Sequence, residues 1–298
     1  MSLVINNNMM AANTARNLNA HYSNLATSTQ RLSTGLRVNS AADDAAGLAI
    51  RELQRADIAA LHQGARNAND AISMIQTADG AMGVIDEKLI RLKELAEQAA
   101  TGTYDSTQRL MIESEYQAMA SEITRIANAT DFNGIHLLNG DLSGAEHNGS
   151  GMTSTGKMKI HFGSGNDSAE DYYYITIGNC TASALGVGNQ ADPDKADGYT
   201  VSTQEAAQKA LNAINEAIVS KDKIRAHLGA MQNRLENTIT NLNVQAENLQ
   251  AAESRISDVD VATEMTQFVR NQILTQSAVA MLGQANSLPQ MAMQLIGG

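Results

Sequence analysis

Residues 61–99 read LHQGARNANDAISMIQTADGAMGVIDEKLIRLKELAEQA. Counting by sevens from Leu61 gives Ala68, Ile75, Met82, Leu89 and Ala96; counting from Gly64 gives Ala71, Ala78, Ile85, Leu92 and Ala99. Six successive heptads with apolar or small residues at both seam positions, uninterrupted by proline, are the pattern of a helix packed along its length as in a coiled coil. The alanines and Gly64 allow a close approach of backbones. The pattern extends over residues 44–100, about 85 Å of helix at 1.5 Å per residue.

The other half of the chain answers it. Residues 204–256 repeat by sevens at Ile214, Lys221, Leu228, Leu235, Leu242, Leu249 and Ile256, with one polar break at Lys221. Between the two halves, Ser106–Ala129 reads as a shorter helix with Leu110, Tyr116, Ile123 and Ile126 on one face, entered through a turn near Gly102. The middle is different in composition. Between Gly134 and Tyr199 lie 12 of the 22 glycines and one of the two prolines. Residues 157–162 alternate polar and apolar, and Tyr173, Ile175 and Ile177 alternate with Tyr172, Tyr174 and Thr176. Joined by residues 163–171, these predict a β-hairpin with one buried face. Four of the seven tyrosines lie in 172–199 and are expected to anchor this lobe. Its flanks, 139–156 and 178–198, read as exposed loops. The fold class is mainly α: a long coiled-coil helical hairpin forming a rod, with paired terminal helices and a small β-hairpin lobe mid-chain.

Composition agrees. The chain has no Trp and 3% aromatic residues, which suits cores of Ala, Leu, Ile and Met between close-packed helices. The net charge is −11, but residues 1–42 hold three arginines and no acid, and residues 258–298 hold three acids and one arginine. The terminal segments therefore sum to +1 and residues 43–257 to −12. An acidic middle argues against a nucleic-acid partner, which calls for a clustered basic footprint. No run approaches the ~18 apolar residues of a membrane span, so membrane insertion is not expected. The beginning of the chain lacks the basic and apolar regions of a secretory signal peptide, so export by that route is not expected.

The near-neutral ends carry narrower apolar stripes, at Val4, Ala11, Leu18, Leu25 and Leu32, and at Leu274, Met281, Leu288 and Leu295. A single stripe buries too little surface to stand alone in water. Pairing the two ends leaves apolar edges on both, so these nine residues are the expected self-assembly contacts, ordered on association.

Chemistry is scarce. No two of the six histidines have zinc-ligand spacing, so no metal is expected. Cys180 has no histidine near it in sequence and reads as an inert thiol. Asp43 and Asp44 are placed to begin a helix rather than to share a proton. No cofactor motif and no catalytic constellation are present, and the chain is not expected to be an enzyme. An enzyme carried by the lobe would need a polar constellation within 134–199.

Several long motifs carry a resemblance. Gln30–Ile50, reading QRLSTGLRVNSAADDAAGLAI, resembles the N-terminal signature of bacterial flagellins, as do Ala65–Ser73, Arg91–Ala96 and Asp131–Gly134. In the C-terminal half, Leu249–Ile256, Asp258–Ala262 and Gln284–Asn286 before Pro289-Gln290 resemble the same family. The resemblance covers about 1–140 and 200–298 and leaves room only for a short lobe.

The resemblance implies a head-to-tail homopolymer serving swimming motility. Segments 1–42 and 258–298 would form its inner tube, 43–140 and 200–257 its helical wall, and 141–199 a short variable lobe. It implies an extracellular filament, export through the flagellar type III apparatus without a cleaved signal peptide, and no cofactor. As partners it implies an export chaperone, cap and junction proteins, and the animal Toll-like receptor for flagellin, whose site falls by motif on Arg91, Leu95 and Glu115. A hook–filament junction protein has flagellin-like termini too, and a monomeric coiled-coil adhesin is the competing reading from another class.

Overall fold

The computed structural model describes residues 8–148, 155–168, 170–188 and 198–296. Its elements run α1 (Met9–Thr34), α2 (Ala45–Ala100), α3 (Ser106–Ala129), β1 (Asp131–Phe132), β2 (Ile135–His136), β3 (His147–Asn148), β4 (Thr155–Gly156), β5 (Met158–His161), β6 (Tyr172–Ile175), α4 (Ala182–Leu185), α5 (Gln204–Ser257) and α6 (Val261–Ile296). The fold is mainly α, with antiparallel strand pairs confined to the glycine-rich middle. Two compact units divide the chain: Met1–Ile58 with Glu247–Gly298, and Ala59–Ala246.

In the Ala59–Ala246 unit both seams of α2 are buried at every position, from Leu61 and Gly64 to Ala96 and Ala99. Ile214, Lys221, Leu228, Leu235 and Leu242 are buried on α5. Each large apolar side chain withdrawn this way contributes roughly 1.5–3 kcal/mol. Lys221, the polar break of the second seam, is 1% exposed and is held by Asp86 at 2.5 Å and Asp222 at 2.8 Å. Four residues on, Arg225 Nε donates to Asp79 at 2.7 Å, a second polar rung between α5 and α2.

Helix α3 starts on a capping box, in which the Asp105 carboxylate accepts the Ser106 amide and the Asp105 amide donates to Gln108 Oε1 at 3.0 Å. Its buried face is Ile112, Tyr116, Ala120, Ile123 and Ala127, with Ile126 half-buried. Leu110, expected on that face, is 59% exposed. It lies six residues before Tyr116, about 120° around the helix, whereas the buried residues follow spacings of three and four. After α3, β1 and β2 close through Asn133 (φ 53°) and Gly134 (φ 79°), the left-handed pair that a tight hairpin turn demands.

The expected hairpin forms in register, Met158 opposite Ile175 through His161 opposite Tyr172. Met158, Phe162, Ile175 and Ile177 point inward and are buried. Of the tyrosines expected to anchor the lobe, Tyr173 does so, lying under the Arg234 guanidinium of α5 at 3.6 Å. Tyr174 and Tyr199 are about 40% exposed; strand alternation puts Tyr172 and Tyr174 on the outer face, where Lys159 sits 3.7 Å over Tyr172. The flank after the hairpin is not an exposed loop. Thr181 and Gly186 cap the short helix α4, and Cys180, Ala182, Leu185 and Val187 are buried against α3 and its neighbours. The Cys180 amide donates to Leu138 O at 2.9 Å, pinning this stretch to a neighbouring one whose leucines, Leu137, Leu138 and Leu142, are buried. Residues 149–154 and 189–197 of the two flanks lie outside the described residues.

A Cβ on Gly64 would stand 1.9 Å from the carbonyl oxygen of Phe162, whereas one on Gly80 meets nothing within 4 Å. Gly64→Ala is therefore expected to destabilise the unit by about 1–3 kcal/mol, because a backbone carbonyl cannot retreat as a side chain can. Gly80→Ala, with only helix propensity at stake, should stabilise by roughly 0.5–1 kcal/mol. Thermal unfolding of the two variants checks the opposite signs.

In the other unit, α1 packs against α6. Helix α1 ends on Gly35 (φ 72°), whose amide donates to Arg31 O. The chain then runs antiparallel to the segment joining α5 and α6: Leu36 bridges Asp258, the Arg37 amide donates to Ser257 O at 2.7 Å, and the Val259 amide to Gly35 O at 3.0 Å. Asp43 ties the next turn through the Asn39 and Ser40 amides, which hold its carboxyl below the usual range. Asp44 Oδ1 accepts the Gly47 amide at 2.9 Å at the start of α2, so of the two acids expected to begin this helix Asp44 does so and Asp43 serves the turn before it.

Candidate assembly surface

Among the described residues no group of three His, Cys, Asp or Glu could hold a metal ion. Burial pushes the Cys180 thiol up to about 11, which leaves almost no thiolate at neutral pH. An open groove of about 330 Å³ lies between α2 and strand β5, reaching from Asn67 and Met74 to Phe132 and His161. No polar side chain is buried in it, and Asn67 is engaged with the His161 carbonyl.

The terminal helices present the feature a soluble single chain would not be expected to keep. Helix α1 begins where Asn8 Oδ1 accepts the Ala11 amide at 3.0 Å. Ala11, Leu18, Leu25 and Leu32 follow at heptad spacing and are half-buried, with Ser28 buried among them, so the stripe expected from sequence is the face α1 turns to α6. Val4 lies outside the described residues.

On α6 the outcome is reversed. The face withdrawn from water carries Glu264, Phe268, Asn271, Thr275, Ala278, Leu282 and Ala285, which are small or polar apart from Phe268 and Leu282. Leu274 is 39% and Met281 58% exposed, about 100° around the helix from Thr275 and Leu282. The side chains of Leu288 and Leu295 lie outside the described residues. Val261, Met265, Val269, Ile273, Val279 and Met291 are exposed as well, distributed around the rest of the helix. Helix α6 thus exposes large apolar side chains on every side that α1 does not cover, and its 36 residues include two charges, Glu264 and Arg270. A helix of this kind belongs in an interior. Here α1 covers one face and leaves the others in water. Most of the large apolar side chains face outward because the seam with α1 is built largely from small and polar residues, with Phe268 and Leu282 the large apolar exceptions.

The three residues assigned by motif to receptor recognition meet only in part. Arg91 Nη2 and Nε donate to Glu115 Oε1 at 2.7 and 3.0 Å, and Nη1 to Glu94 at 2.9 Å, with Arg91 and Glu115 each about half exposed. Leu95 is 1% exposed, in the core beside Leu92 and Ala99. The i, i+3, i+4 relation of Leu92, Leu95 and Ala99 places it on the buried seam.

Comparison with known proteins gives the surface its context. Residues 5–143 match the model of the bacterial flagellin N-terminal helical region, and residues 211–296 that of the bacterial flagellin C-terminal helical region. The chain is 40% identical to flagellin FlaB2 of Treponema pallidum over 294 residues, covering 99% of this chain and 100% of that one. It is 41% identical, over the same coverage, to the flagellar filament 33 kDa core protein of Treponema phagedenis. It is 40% identical to the flagellin of Bacillus subtilis over 308 residues, 98% of this chain and 99% of that one.

Proposed function

The chain belongs to the bacterial flagellin family, and on that premise we propose that it is the structural subunit of a flagellar filament, without a large outer domain. The observation that carries this reading is the set of large apolar side chains that α6 leaves uncovered on the sides not turned to α1. Surface of that kind is stable only when other copies cover it, and identical copies repeating one head-to-tail contact build an open helical polymer. We infer that 1–42 and 258–298 line the filament interior, that 43–140 and 200–257 form its wall, and that 141–199 is a short outward lobe. The acidic middle keeps neighbouring filaments apart.

The partners follow from the same reading: first the chain itself, then an export chaperone and cap and junction proteins. The filament is extracellular, and the subunit reaches it through the flagellar export apparatus. No described helix is long and apolar enough to cross a membrane. A flagellin-reading animal receptor would engage the half-exposed Arg91–Glu115 pair from outside, with Leu95 holding the helix beneath it rather than touching the receptor.

Electron microscopy of the purified chain, concentrated and seeded with sheared fragments, tests the central claim. Long filaments of uniform diameter are expected. Particles that stay monomeric under these conditions would remove the polymer reading in favour of the adhesin. Thousands of copies per cell, rather than a handful, separate a filament subunit from a junction protein.

A further inference from the structure

We propose that α1 and α6 are held in a single register by two polar latches, Asn8 on the Ala285 carbonyl and Arg31 against Glu264, and that assembly of further copies requires this register more than it requires the stability of the pair. The inference rests on the filament reading above and names the residues that would make it specific.

The seam between these helices does not fix its own alignment. Ala11, Leu18, Leu25 and Leu32 repeat by sevens, and on α6 so do Asn271, Ala278 and Ala285, and Phe268, Thr275 and Leu282. Sliding one helix by seven residues, about 10 Å, brings the same kinds of residue together again. Heptad seams resolve this ambiguity with a polar residue that has one place to go.

One such place is made by Pro289, the single proline inside α6. Proline has no amide hydrogen, so the carbonyl four residues earlier, Ala285, has no intrahelical donor. Asn8 Nδ2 donates to that carbonyl at 2.7 Å across the pair. The same side chain accepts the Ala11 amide through Oδ1, so it both starts α1 and ties it to the one interior carbonyl that α6 leaves without an amide partner. At the other end of the pair, Arg31 Nη1 stands 3.7 Å from Glu264 Oε2. Glu264 is 5% exposed, and Arg31 Nε and Glu264 Oε1 make no hydrogen bond. A pair this loose, with Glu264 buried and Arg31 28% exposed, is a poor source of stability, and register is the best-attested use of buried ion pairs. The spacing agrees: 23 residues separate Asn8 from Arg31 and 21 separate Glu264 from Ala285. Both latches close together in one alignment, and a slip of seven residues opens both. Because the contact surface offered to another copy is built from α1 and α6 together, a 10 Å slip would destroy the repeat.

Counting ten residues inward from Asn8 and from Ala285 places Leu18 opposite Thr275; a slip of one heptad places it opposite Leu282. Full-length chains carrying Leu18→Cys with either Thr275→Cys or Leu282→Cys report the two registers by oxidative cross-linking, with Cys180 silent in the core. In an otherwise unaltered chain the 18–275 pair is expected to cross-link at least tenfold more than 18–282. In Asn8→Ala/Glu264→Gln the preference should fall to within about threefold, with filament yield reduced at least tenfold. The charge exchange Arg31→Glu/Glu264→Arg should restore the preference and the filaments, which a role in packing alone would not. Pro289→Ala, which returns the missing amide to α6, should raise helicity and still weaken the preference for 18–275. An unchanged preference in both Asn8→Ala/Glu264→Gln and Pro289→Ala would overturn the latch. If the unaltered chain forms no filaments, the polymer reading fails, and the cross-linking ratio still decides the register.

Discussion

A chain ending at Ser257 is expected to form no filaments at any concentration, while residues 43–257 keep their helices. Helix α5 runs to Ser257, so the cut removes α6 whole and opens the bridge between Leu36 and Asp258. The Ala59–Ala246 unit has its own buried core, with Ile75, Met82, Ile85, Leu89, Leu228 and Leu235 nearly inaccessible, and none of it depends on α6. What is lost is the helix that exposes large apolar side chains on every side away from α1, and with it the cover of Leu18 and Leu25 on α1. Removing residues 1–42 should have the same result from the other direction, since α6 then loses its partner. A milder version is Leu18→Asp, which places a carboxylate in the half-buried α1 seam. An uncompensated charge there costs about 2–4 kcal/mol, which corresponds to a rise in the critical concentration of roughly 30- to 1,000-fold. Sedimentation and electron microscopy measure the polymer, and circular dichroism the remaining helix. Filaments from either truncated chain would place the contacts elsewhere and end the case for the terminal pair as the assembly site.

Legibility in the sequence followed the strength of the periodic contrast. In residues 61–99 apolar and polar residues alternate with one sharp phase, and every seam residue is buried in the structure. In α6 the contrast is nearly absent, because valine, isoleucine, leucine and methionine occur on all sides. A seven-residue spacing can then be drawn along any face, and the stripe through Leu274 and Met281 proved to be an outer one. Small residues mark the seam instead, and a search weighted toward close approach would have favoured Ala278 and Ala285. The buried stretch after the hairpin was hidden by composition: glycine, asparagine and threonine around residues 178–188 read as a loop, although Thr181 and Gly186 are respectable caps for the single turn between them. The partners of Asn8 and Arg31 lie 277 and 233 residues away, and no local pattern reports such distances. What local reading could have offered was the proline itself, since a proline within a helix always leaves one carbonyl in search of a donor.

Removing the Asp86 carboxylate is expected to destabilise the Ala59–Ala246 unit far more than removing the charge it neutralises. Lys221 is 1% exposed, while Asp86 and Asp222 are 31% and 59% exposed. The ammonium is therefore the member of the triad that water cannot reach. In Asp86→Ala it stays buried with Asp222 alone, and stranding a buried charge typically costs about 3–5 kcal/mol. In Lys221→Met the two carboxylates remain partly solvated, the side-chain volume is kept, and an apolar residue restores the seam of Ile214, Leu228 and Leu235; a change within about 1 kcal/mol is expected. The double variant Asp86→Ala/Lys221→Met should then recover most of the loss, giving a coupling of about 2–4 kcal/mol between the two positions. In thermal unfolding the single carboxylate variant should melt roughly 6–15 °C below the parent, and the double variant within a few degrees of it. Additive losses in the double variant would mean that the pair is not coupled and that Lys221 reaches water by another route. If the cycle closes as expected, the lysine in the heptad is maintained at no gain in stability. Its remaining use is to fix the one alignment of α5 on α2 in which Asp86 lies within reach, the same solution to heptad ambiguity that Asn8 and Arg31 supply between the terminal helices.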